Sequence, residues 1–240
     1  MIHRPARLAA FAITTLLPVM PALAADAVEG TEPPVIAAPV DEPVPGTAGY
    51  VAARIGAAFE SETEFNVLGT SVDTSFGTGL DGSLAVGVQL FTTTPLSLRA
   101  EAELGTLILE VDSHDVAGVG SFSGGAASGD ATAVYGLANA YLDYDLGVIT
   151  PYFGAGIGVG TVDYSNFGTT PTGTVLNDNG TGLAWQVGAG VGYKVSDSWS
   201  VDIGYRYLDV GADGVTAVDG TKSDAPTGTH QVRVGVRRSF

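Results

Sequence analysis

Few side chains in this sequence could carry covalent or proton chemistry. There is no cysteine among the 240 residues, so thiol nucleophiles, disulfides and thiolate-ligated metals are excluded. Beyond His3, the only groups that titrate near neutrality are His114 and His230. His114 stands between Asp112 and Asp115, with Ser113, Ser121 and Ser123 close by, which are the residue types of a serine hydrolase. That chemistry needs rigid placement, and the Gly/Ser-rich surroundings read as a solvated loop. His230 falls on the outward parity of a strand. Asn177-Asp178-Asn179-Gly180 lacks the spaced acids and closing Glu of a calcium loop and reads as a turn. Gly154, Gly156, Gly158 and Gly160 repeat every second residue inside a strand pattern rather than opening a helix, which excludes a dinucleotide loop. The expectation is no catalytic residue, no metal and no cofactor.

The remaining chemistry is electrostatic. Thirteen charged residues share the inner parity of alternating segments: Arg54, Glu60, Asp81, Arg99, Glu101, Glu103, Asp143, Asp145, Lys194, Asp202, Arg206, Arg233 and Arg237. The chain carries 26 acidic and 10 basic residues for a formal charge of -16, yet its mean hydropathy is +0.26. Apolar and charged residues are therefore finely interleaved, as in strands with two unlike faces. So acidic a chain makes a poor nucleic-acid binder, since that affinity rests on Lys and Arg.

Eight segments position these charges, at 49–60, 79–91, 96–109, 132–146, 151–162, 182–195, 199–208 and 227–240. Each alternates with period two. In the third, Leu96, Leu98, Ala100, Ala102, Leu104 and Ile108 oppose Ser97, Arg99, Glu101, Glu103 and Gly105. Their lengths suit tilted membrane-crossing strands of about 9–11 residues. The connections between them alternate long and short, as in transmembrane barrels with short periplasmic turns and long outer loops. Aromatic residues of outward parity fall in two bands: Phe91, Tyr144, Phe153, Tyr193, Trp199 and Phe240 toward one end, Phe59, Trp185, Tyr205 and Tyr207 toward the other. The predicted fold is an all-β, eight-stranded, antiparallel up-and-down transmembrane barrel over 49–240.

Ahead of it, His3, Arg4 and Arg7, an apolar run from Leu8 to Met20 and Ala22-Leu23-Ala24 read as a secretory signal peptide over 1–24. Residues 25–48 hold Pro33, Pro34, Pro39, Pro43 and Pro45 and read as a Pro-rich, disordered periplasmic tail.

Several stretches resemble the small eight-stranded outer-membrane barrels of the OmpA-like or porin-like type, related to opacity and surface-antigen proteins. They are Ala138–Tyr144 (ANAYLDY), Pro151–Gly160 (PYFGAGIGVG), Ala184–Tyr193 (AWQVGAGVGY), Asp202–Leu208 (DIGYRYL) and Val232–Phe240 (VRVGVRRSF). The resemblance implies that Phe240 is the signal read by the outer-membrane barrel assembly machinery. Where that pattern carries an aromatic residue two positions before the end, this chain has Arg238.

Eight strands leave a lumen that side chains just fill, and confined charges must pair. The expectation is an ion-pair plug in a non-enzymatic barrel of the Gram-negative outer membrane, reached by Sec-type export, which supports the envelope and displays acidic loops as an adhesin or antigen. The alternatives are a narrow porin and, third, a lipid-modifying barrel enzyme. The expected partners are outer-membrane lipids and lipopolysaccharide bridged by divalent cations, with no nucleic acid and an undefined loop ligand.

Overall fold

In the computed structural model, residues 49–240 are described except Leu68, Pro171 and the side chain of Glu60. The segments 1–24 and 25–48, read as signal peptide and tail, lie outside the described residues.

The strands are β1 (Gly49–Val67), β2 (Thr70–Phe76), β3 (Gly79–Thr93), β4 (Leu96–Val116), β5 (Gly120–Ser123), β6 (Ala127–Tyr144), β7 (Ile149–Thr169), β8 (Gly173–Lys194), β9 (Trp199–Val210), β10 (Val215–Thr216), β11 (Lys222–Ser223) and β12 (Thr227–Ser239). Eight of them close an antiparallel ring in the order β1, β3, β4, β6, β7, β8, β9, β12, and β12 returns to β1 from Tyr50↔Ser239 to Phe59↔His230. Closure leaves no open edge, the condition for strands in hydrocarbon.

The eight alternating segments occupy the inner-membrane-facing and central parts of these strands, and the register follows their parity. Leu98, Ala100, Ala102 and Leu104 on β4 face outward opposite Leu142, Ala140, Ala138 and Gly136 on β6. Ile55, Leu84, Leu104, Val134, Phe153, Ile157, Val187 and Ile203 are exposed on the outer surface. Tight turns join the strands at the periplasmic end. In one of them Asp145 Oδ1 accepts from the Gly147 N–H at 2.7 Å, with Gly147 at φ +93°.

At the other end the structure departs from expectation. Three of the four connections read as long loops continue as paired strands, as in β1 with β2 from Ser61↔Phe76 to Val67↔Thr70 and β7 with β8 through Tyr164↔Asp178 to Thr169↔Gly173, whereas the β9–β12 connection holds only the short β10–β11 pair. Asn177-Asp178-Asn179-Gly180 lies within β8 and is not a turn. The cause is an inversion of polarity along the strands. Inner residues of β4 change from Arg99, Glu101 and Glu103 to Leu107 and Leu109, while its outer residues change from Leu104 and Ile108 to Glu110. On β7 the inner glycines give way to Val162 and Tyr164 as the outer Val159 gives way to Asp163. Outside the bilayer the outer face meets water, so the apolar residues belong inside. Bulges between Phe59 and Glu62 and between Ser75 and Phe76 also reset the parity, so a single alternating template ends there.

Candidate functional site

The lumen is the place where functional side chains converge, and it is arranged in three tiers. The central tier is a continuous hydrogen-bonded network of arginines and carboxylates. Arg54 holds Glu101 with two bonds of 2.8 and 2.7 Å, and the Tyr50 hydroxyl donates to the same carboxylate at 2.9 Å. Arg99 holds Asp143 with two bonds of 2.5 and 3.0 Å and stacks its guanidinium on the Tyr141 ring, 4.7 Å from the centroid. Glu103 accepts from Arg206 at 3.0 Å, Arg233 at 2.9 Å and Asn139 at 3.0 Å. Asp81 accepts from Arg206 at 3.0 Å and from the Tyr135 hydroxyl at 2.6 Å. Arg233 Nε lies 2.9 Å from the other Asp81 oxygen, at an angle too poor for a hydrogen bond, and a second Arg233 nitrogen donates to Ser83 Oγ. Asp202 completes the set, 4.0 Å from Arg54 Nε.

Every cation in this tier is arginine, whose planar fork matches carboxylates two bonds at a time. Neutral residues absorb the remaining donors. Arg206 also donates to Gln186 Oε1 at 2.9 Å and Gln231 Oε1 at 2.7 Å, while Gln186 donates to Asn139 at 2.6 Å and Tyr141 at 3.1 Å. The bulk of these groups fits because glycines face them across the strands. A Cβ at Gly188 would stand 2.8 Å from Arg206 Cβ, and one at Gly105 would collide with the Tyr135 ring.

The outer tier is apolar. Phe65, Phe76, Leu107, Leu109, Val162, Tyr164, Phe167, Leu176, Leu208 and Val210 form one buried cluster, capped by Ala212, Val215 and Ala225 from the β9–β12 connection. Phe167 sits at its centre with edge contacts to Phe65, Phe76 and Tyr164 at 6.0, 6.0 and 5.3 Å. His114 belongs here too, not in a solvated loop. It is 1% exposed on β4, with Nδ1 2.8 Å from Thr74 Oγ1, Nε2 3.0 Å from the Ser128 carbonyl and its ring against Phe167. Burial pushes its pKa down, opposed by the bond to Ser128. Since Nε2 must donate to a carbonyl, Nδ1 accepts from Thr74, and neither nitrogen is left for a carboxylate or a nucleophile.

The third tier is the periplasmic mouth, a polar recess of about 220 Å³. Three residues expected in the interior network lie here. Asp145 is exposed because it caps its turn, Lys194 is exposed and pairs with Asp197 across the next turn at 3.1 Å, and half-buried Arg237 donates to Ser200 Oγ at 3.1 Å. Strand parity cannot anticipate this, because at a strand end the turn and not the sheet decides where a side chain points. The side chain of Glu60 lies outside the described residues. Parity does place Arg54, Asp81, Arg99, Glu101, Glu103, Asp143, Asp202, Arg206 and Arg233 together. The neutral partners Tyr50, Ser83, Tyr135, Asn139, Tyr141, Gln186 and Gln231 share that parity, but parity does not reveal that they complete the network as donors and acceptors. Phe240 directly follows β12, 79% exposed, with its N–H donating to Gly49 O at 3.0 Å. Arg238 lies over the Trp199 ring at 5.6 Å, so a cation–π contact occupies the place of an aromatic residue.

A closed antiparallel ring with an apolar outer belt, aromatic ends and a polar packed interior defines a transmembrane β-barrel of the outer membrane. The chain belongs to the outer membrane protein beta-barrel domain family, whose profile matches residues 36–240. A Brucella abortus protein described as uncharacterized is 34% identical over 130 residues, which are 43% of this chain and 46% of that one, so the match spans just under half of that relative's length. The 31 kDa outer-membrane immunogenic protein of Brucella melitensis is 27% identical over 237 residues, covering 91% of this chain and 93% of the relative. Among solved structures, Neisserial surface protein A is similar with a TM-score of 0.45 and 19% identity, over 80% of this chain and 97% of that one. The protein is thus located in the outer membrane of a Gram-negative cell, in contact with its lipids and lipopolysaccharide.

Proposed function

We propose that the protein is a closed, non-enzymatic barrel that contributes to envelope integrity and presents acidic β-hairpins at the cell surface as an adhesin or antigen. The observation that carries this reading is the layered lumen, an apolar plug stacked above a paired ionic network. An ion crossing it would shed water against Phe167, Tyr164 and Leu208 and then break bidentate arginine pairs, both steeply unfavourable. The outer-membrane immunogenic Brucella relative supports the surface role. The engagement of His114 with Thr74 and Ser128 weighs against acid–base catalysis. Phe240, exposed at the end of the last strand, is suited to recognition by the barrel assembly machinery. Planar-bilayer recordings of the folded protein test the reading. A silent bilayer is expected, and reproducible single-channel steps would replace the plug with a narrow porin.

A further inference from the structure

The two aromatic bands of the outer surface are not alike. The periplasmic band runs around the barrel, with Phe91 on β3, Tyr144 on β6, Phe153 on β7, Tyr193 on β8 and Trp199 on β9. The band at the outer end is confined to four neighbouring strands. Trp185 on β8, Tyr205 and Tyr207 on β9, His230 on β12 and Phe59 on β1 touch in succession: Trp185–Tyr207 at 5.4 Å, Tyr207–His230 at 5.0 Å, Tyr205–His230 at 5.9 Å and His230–Phe59 at 6.2 Å between centroids. The Tyr205 hydroxyl is hydrogen-bonded to His230 Nδ1 at 2.5 Å, which fixes the two rings. On the outer halves of β3, β4, β6 and β7 the large exposed outward residues are aliphatic, not aromatic: Leu80, Leu84, Leu104, Ile108, Val134, Ile157 and Val159. An amphipathic belt that served only to meet headgroups would have no reason to occupy one side.

What adjoins the rings indicates the occupant. The next residues outward along these strands are Asp209 and Glu62, paired through Gly228 of β12. They open into a cleft of about 630 Å³ that Tyr207 and His230 share with Thr63, Glu64, Asp73 and Ser75. Flat rings at the hydrocarbon boundary, followed by carboxylates and hydroxyls, offer the C–H face of a sugar a stacking surface and its hydroxyls acceptors. Without a bridging divalent cation a phosphate is repelled here by Asp209, Glu62, Glu64 and Asp73, and no Lys or Arg lines the cleft among the described residues, so the rings and hydroxyl acceptors select for a sugar. The surface continues directly from the lipid-facing belt, so its occupant comes from the same leaflet.

We propose that the Trp185–Tyr207–His230–Phe59 surface with Asp209 and Glu62 is a docking site for the saccharide headgroup of an outer-leaflet glycolipid. It lies on the outside of the barrel and stands whether or not the lumen conducts.

The sequence has two tryptophans, Trp185 in the surface and Trp199 in the periplasmic band, so Trp199→Phe leaves Trp185 as the sole tryptophan, excited selectively at the red edge where tyrosine does not absorb. This variant of the full chain, folded in uncharged micelles with Mg²⁺ at fixed concentration, is titrated with lipopolysaccharide and, separately, with phosphatidylglycerol. A saturable change in Trp185 emission is expected with lipopolysaccharide and not with phosphatidylglycerol. Adding Tyr207→Ala and His230→Ala raises the half-saturating concentration by about tenfold or more, the factor that corresponds to about 1.4 kcal/mol. Val134→Ala and Val159→Ala, on the aliphatic side, leave it unchanged and control for general lipid contact. Equal responses to the two lipids, no response to either, or an unchanged half-saturation in the double variant each overturn the proposal. If Tyr207→Ala, His230→Ala does not fold, Asp209→Asn tests the same site through its hydroxyl acceptor, and an unchanged half-saturation again overturns it.

Discussion

Arg206 is the residue on which the ionic tier depends most. It bonds Asp81, Glu103, Gln186, Gln231 and Tyr135, side chains contributed by β3, β4, β8, β12 and β6. Truncating it leaves two buried carboxylates short of a donor, and breaking one side of a buried ion pair costs about 3–5 kcal/mol. Arg206→Ala is therefore expected to lower the unfolding free energy by that amount, read from urea unfolding in lipid vesicles by tryptophan emission. Arg206→Lys is expected to recover only part of the loss, because one ammonium cannot fork across Asp81 and Glu103. Gly188 lies against the same side chain. Gly188→Ala forces a methyl to 2.8 Å from Arg206 Cβ and 2.7 Å from the Tyr205 carbonyl. Overpacking of this kind costs about 1–3 kcal/mol, and the same assay registers it.

At the scale of elements, the strand extensions above the membrane are held by their apolar interior, and His114 makes that interior sensitive to pH. Its pKa is depressed by burial, so the folded state favours neutral imidazole while the unfolded state takes up a proton below about pH 6.5. Stability from this group is complete above that value and is lost as pH falls through the depressed folded pKa. The β1–β2 and β4–β5 hairpins should become susceptible to protease as pH drops below about 6.5, with the ring strands still protected. His114→Gln keeps a hydrogen-bonding side chain without the titration and is expected to flatten that dependence. The same elements show what was legible in the sequence. Ring strands announce themselves because lipid and lumen impose opposite polarity on alternate residues, as in Leu96–Leu104 of β4. The extensions carry the reverse pattern, Phe65 and Val72 inward against Glu64 and Asp73 outward, in short runs interrupted by bulges. Ser-, Thr- and Gly-rich composition then reads as loop even though backbone pairing resumes beyond the bulges. The ionic tier was visible as parity, but which arginine meets which carboxylate was not, since Arg233 and Glu103 are 130 residues apart and meet only through closure of the barrel.

Over the whole molecule, charge is sorted by height. The lumen sets the guanidinium groups of Arg54, Arg99, Arg206 and Arg233 against five carboxylates and is close to neutral. The segments outside the membrane, 61–78, 110–131, 163–181 and 209–226, hold thirteen acidic residues and a single base, Lys222. Glu64, Asp73 and Asp115 even stand directly opposite one another across β1, β2 and β4, where like charges destabilise the pairing. Burial, and after it the charges of Glu64 and Asp115, push the Asp73 pKa up from its ordinary value. No group of three or more ligating side chains among the described residues is close enough to cage an ion. The expected relief is cations shared with the surroundings, the anionic phosphates of lipopolysaccharide. Repulsion between two anionic surfaces within a Debye length of about 8 Å is relieved far better by divalent than by monovalent ions. Chelation of Mg²⁺ and Ca²⁺ is thus expected to release lipopolysaccharide that copurifies with the protein, and restored Mg²⁺ to recover it. Glu64→Gln, Asp73→Asn, Asp115→Asn together should make retention independent of chelator, read as lipopolysaccharide per protein after gel filtration. Equal retention by the unsubstituted chain with and without chelator would remove the cation bridge.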